Sequence, residues 1–93
     1  MKRFDPWLRK QMKDPEFKKE YDALEEEFAL ARELINARAR AKLTQHEVAR
    51  RMGTSQSAVA RMESGKGLPS TSSLVKYARA VGRKIEIKLS KPA

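Results

Sequence analysis

The chain has 93 residues, with 21 Lys or Arg against 12 Asp or Glu and a formal charge of +9, which permits one domain plus an arm. A chain this short buries a modest share of its surface, so extra stability is expected from dimerisation. The lack of cysteine excludes disulfides and thiolate metal sites, and no apolar run suits a signal peptide or a membrane span, so the expectation is a cytoplasmic protein without membrane contact.

Charge is unevenly spread. Residues 1–40 carry ten basic and nine acidic side chains, net +1, whereas residues 41–93 carry eleven and three, net +8. A segregated basic half is the footprint of a protein that neutralises phosphates.

In chain order, Asp5 before Pro6 and Asp14 before Pro15 each place a capping residue ahead of a proline at the first helical position. That predicts a short helix over about 6–13 and another from Pro15 onward. From Phe17 the apolar residues Phe17, Tyr21, Leu24, Phe28, Ala31 and Ile35 recur at steps of four and three, a stripe along one helix face reaching about Ala41. Leu30 and Leu34 add a second apolar edge, and with Ile35 they are expected inside the protein's own core. Phe4, Trp7, Leu8, Phe17 and Tyr21 leave two readings open. They extend that core, or they are anchors for a partner, spaced one turn apart.

The segment LTQHEVARRMGTSQSAVARMESG, residues 43–65, holds two helix signals around a tight turn. Thr44 and Glu47 form a T-x-x-E capping box, Val48, Ala49 and Met52 mark one apolar face, and Gly53 stops the helix. Ser55 caps the next helix, with Val59 and Met62 inward and Gln56, Ser57, Ala60 and Arg61 outward, before Gly65. Those outward side chains include types that read base edges in a DNA groove. After Leu68 and Pro69, Ser70 or Thr71 caps a helix with Leu74, Val75, Tyr77, Ala78 and Val81, closed by Gly82. The last segment, RKIEIKLS, alternates strictly, with Ile85, Ile87 and Leu89 on one side. A lone strand exposes unpaired backbone, so either it pairs antiparallel with its copy in a homodimer or it lies against its own helices. Two copies would also set recognition helices about 34 Å apart on a palindromic site.

No catalytic or cofactor constellation is present. His46 is the single histidine, with no acidic or thiol partner at triad or metal-ligand spacing, and the glycines do not form a phosphate-cradling loop. A non-enzymatic protein without cofactor or metal is expected.

The stretch from Leu43 to Gly82 resembles the Xre (Cro-type) helix-turn-helix family. LTQ, the apolar spacing, the turn glycine, MESG and the proline-led helix that follows all occur in order. With KDPEFKKEYDALEEEFALARELINAR before it and GRKIEIKLS after it, the layout is similar to HigA-type antitoxins, which neutralise HigB/RelE-like ribonuclease toxins and repress their own operons. The resemblance implies an all-α, lambda-repressor-like helix-turn-helix bundle over residues 30–82. It further implies an N-terminal helical arm over 1–29 that binds toxin through Phe4, Trp7, Leu8, Phe17 and Tyr21, and a C-terminal segment, 83–93, whose β-strand dimerises. Gln56, Ser57 and Arg61 would face base edges of a double-stranded, palindromic operator. Ala58 departs from the polar residue common at its position and puts a third base contact in doubt. Gln45, Thr54, Ser64 and Lys66 would touch phosphates. Arg38 and Glu63 would form a structural ion pair, with capping of the Gly65 turn as the other use of Glu63. The alternative function is a stand-alone Xre-family repressor whose arm only enlarges the dimer core.

Overall fold

The computed structural model describes residues 6–91. Their helices are α1 (Pro6–Gln11), α2 (Pro15–Arg40), α3 (Gln45–Met52), α4 (Gln56–Met62) and α5 (Thr71–Ala80). Each boundary follows from local chemistry. The Asp14 carboxylate accepts the Glu16 N–H at 3.0 Å, with Pro15 in the first turn of α2. That helix closes where Lys42 takes a left-handed conformation, φ 58°, and the Leu43 N–H returns to the Arg38 carbonyl at 3.2 Å.

Thr44 and Glu47 exchange two 3.1 Å bonds at the start of α3. Gly53, φ 71°, ends that helix, and the Thr54 N–H returns to the Ala49 carbonyl at 2.9 Å. Ser55 and Ser70 cap α4 and α5 by accepting the Ala58 and Ser73 N–H groups, each at 3.2 Å. The backbone angles of the two motif helices are thereby fixed by side chains adjacent in sequence.

The core is Leu34, Val48, Ala49, Val59, Tyr77, Ala80 and Val81, with Leu30, Leu43, Met52, Met62 and Leu74 packed around it. Val48, Val59 and Tyr77 are fully buried, each contributing about 2 kcal/mol by burial. α3 is the central element, packed against both α4 and α5. Among the described residues no helix is long and apolar enough to cross a membrane.

Two expectations are corrected. On α2 the buried edge runs through Ala31 and Leu34, whereas Leu24, Phe28 and Ile35 of the expected stripe are 49%, 46% and 38% exposed. Ile35 therefore is not a core residue, because α3 and α5 meet α2 on the face one position away. The second correction concerns the C-terminal β-strand. Among the described residues there is no strand, and residues 83–91 run without regular structure. A strand is defined by a hydrogen-bonded partner, and this chain supplies none. Ile85 instead is half-buried beside Leu30, Leu34 and Tyr77, while Ile87 and Leu89 are exposed.

Candidate nucleic-acid interface

α4 presents a free polar edge. Its Val59 is fully buried against the core, which orients the seven-residue helix so that Gln56, Ser57 and Arg61 are exposed. Ala60, expected outward, is only partly exposed. Beside this edge lies an open groove of about 410 Å³ whose rim includes Thr54, Arg61, Lys66 and Lys76, with Met52 and Met62 in its floor. Lys76, on the middle of α5, adds a third cation to this groove beside Arg61 and Lys66. Ser64 and Lys66 are exposed on the turn after α4.

The presentation angle of α4 is set by a buried polar cluster at its end. Glu63 is 7% exposed. Its carboxylate accepts from Arg38 Nε at 2.8 Å and from a terminal guanidinium nitrogen at 2.9 Å, the bidentate fork that gives the strongest side-chain pairing. Gln45 Nε2 donates to it at 3.1 Å. The Tyr77 hydroxyl lies 2.7 Å from Glu63 and 2.8 Å from the Leu34 carbonyl, so its one proton is shared between two acceptors. Burial alone would raise the Glu63 pKa, but the bonds from Arg38, Tyr77 and Gln45 outweigh it and hold the carboxyl below its ordinary value. Burial, then the bond to Glu63, push the Tyr77 phenol well above its ordinary value. Four helices thus meet on one carboxylate.

This geometry changes the expectation for Gln45. Its amide is turned inward to Glu63, so as placed it holds α3 against the end of α4 rather than reaching outward. Arg51 is similarly occupied, donating to the Ala80 carbonyl at 2.8 Å. The signal that would have found Gln45 is the acid itself, since a buried carboxylate needs every donor within reach.

The arm makes its own contacts. Trp7 and Phe17 meet edge to face at 6.0 Å, and Phe17 stacks on Tyr21 at 6.3 Å, which folds α1 back along α2. Trp7 remains 62% exposed, Leu8, Phe17 and Tyr21 are partly buried, and Phe4 lies outside the described residues. Farther along α2, the Phe28 ring covers Gly65 so closely that a Cβ there would clash with it. The neighbouring Glu27 carboxylate accepts the Gly67 N–H at 3.2 Å. Neither contact carries a local sequence signal.

A family model described as Helix-turn-helix matches residues 34–88. The chain is 38% identical over 79 residues to Antitoxin HigA1 of Mycobacterium tuberculosis, in strains CDC 1551 / Oshkosh and ATCC 25618 / H37Rv alike, a match covering 85% of this chain and 53% of the relative. The chain thus spans about half the length of the curated relatives it matches. No solved structure matches it.

Proposed function

The chain belongs to the Xre-type helix-turn-helix family, and from that premise we propose that it is the antitoxin of a type II toxin-antitoxin pair. In this reading it represses its own operon by sequence-specific binding and neutralises a HigB/RelE-like ribonuclease toxin. The observation that carries the DNA half is the exposed edge of α4 beside a cationic groove. Gln56, Ser57 and Arg61 read base edges, where each bidentate pair is worth about 1–3 kcal/mol of discrimination. Thr54 and Lys66 hold phosphates and set position, not sequence preference, whereas Ser64, expected beside them, gives its hydroxyl proton to the Arg61 carbonyl and shapes the turn instead.

The toxin half rests on similarity to Antitoxin HigA1 and on the aromatic arm, where the rings of Trp7, Phe17 and Tyr21 cluster and Leu8 is partly buried on α1. Dimerisation through 83–91 is part of the same proposal. Ile87 and Leu89 point apolar surface to solvent, and a second copy would cover them.

The test is DNA binding to the region upstream of its own gene. Arg61→Ala should relax preference at one base pair, whereas Lys66→Ala should weaken all sequences alike and lower the salt slope by about 1. Equal, sequence-blind losses from both would contradict these roles. Co-expression with the adjacent reading frame tests the toxin half, and recovery of no complex removes it. A stand-alone repressor is the second reading, favoured by the contacts of Glu27 and Phe28 with the turn after α4, which give the arm a use within the protein itself.

A further inference from the structure

The turn over residues 64–67 is tethered from both sides. From α4, the Ser64 hydroxyl donates to the Arg61 carbonyl at 2.7 Å and accepts the Lys66 N–H at 3.2 Å. From α2, Phe28 covers Gly65 and Glu27 accepts the Gly67 N–H. Gly65 is buried under that ring, while Lys66, between the two α2 contacts, is exposed on the groove rim. The residues immediately before and after Lys66 are therefore held by a helix more than 35 positions away in sequence.

We infer that Glu27 and Phe28 are positioning residues for DNA binding: they fix the turn that presents Lys66, so the arm sets phosphate affinity without touching DNA. The inference rests on the DNA-binding reading above. A loosely held turn must be ordered when DNA docks, and each ordered residue costs about 1–2 kcal/mol of backbone entropy. A turn clamped in advance avoids that loss. Glu27 also carries a cost, because its negative charge stands near a surface meant for phosphates. Its retention of the Gly67 N–H is the compensating contribution.

The experiment measures affinity for operator DNA against salt concentration, with thermal unfolding of each variant in parallel. Phe28→Ala removes a half-exposed ring and is expected to leave the fold intact, to weaken binding by about 5-fold and to lower the salt slope as Lys66→Ala does. The double variant should be little worse than Lys66→Ala alone, since both act through one contact. Should Phe28→Ala bind with wild-type affinity and slope, or should its loss add in full to that of Lys66→Ala, the inference is overturned. Glu27→Gln and Glu27→Ala supply a comparison independent of the ring. Both lose the charge, and only glutamine keeps an acceptor for the Gly67 N–H, so the alanine variant should bind more weakly. Equal binding by the pair removes Glu27 from the account. Wild-type protein that binds no DNA overturns the DNA-binding reading itself, a result distinct from any of these.

Discussion

Glu63 shows how one buried carboxylate orients a surface helix. Its side chain is 3% exposed and pairs with Arg38, itself 20% exposed, so removing the acid leaves a guanidinium largely out of water with no counter-charge. Glu63→Gln should destabilise the protein by about 3 kcal/mol, read as the shift in a denaturant midpoint at neutral pH. The sign of the pH dependence follows from the lowered pKa. A carboxyl whose folded pKa lies below its unfolded one adds stability above the unfolded value, near 4.5, and loses it as pH falls through the lower folded value. The glutamine variant should therefore show a shallower loss of stability on acidification below about pH 4.5, and an unchanged acid profile would count against the network. The pairing of Arg38 with Glu63 is suggested by family layout, whereas Gln45 and Tyr77 as further donors are not legible in sequence. With Arg38 they converge from three helices, and spacing along a chain does not encode convergence.

The ends of elements were the most readable feature, because caps are made by neighbours in sequence. Thr44 with Glu47, Ser55, Gly53 and Asp14 with Pro15 all declare themselves within a few residues. The buried face of α2 was less readable, since Phe28, Ala31 and Ile35 satisfy the same period as Ala31 and Leu34, and only the placement of α3 and α5 chooses between them. Two turn glycines separate backbone conformation from packing. Gly53 and Gly65 have nearly equal φ, 71° and 74°, but nothing lies within 4 Å of a Cβ built on Gly53, while one on Gly65 would clash with the Phe28 ring. Gly53→Ala should cost about 1 kcal/mol from the left-handed backbone alone. Gly65→Ala should cost about 1–3 kcal/mol more from the clash, and equal melting temperatures for the two variants would show that the ring yields freely.

At the scale of the whole molecule, charge and shape are divided along the chain. The near-neutral first 40 residues supply α1 and α2, and nearly all of the net +9 lies on the half that carries α3 to α5. That partition is legible in composition, but the state of residues 83–91 is not, because alternation marks a segment able to pair and says nothing of whether a partner exists. Within the proposed dimer, Leu89→Lys should lower the sedimentation coefficient to that of a monomer and weaken operator binding by about 10-fold or more, since two linked half-sites become one. A dimer that persists with this substitution would move the interface elsewhere. Lys42 carries a separate implication. It is the one non-glycine residue at positive φ among those described, at a closure where glycine is the usual occupant. A lysine there stores backbone strain of about 1 kcal/mol, so a glycine at that closure would release it and offset a destabilising substitution of similar size elsewhere.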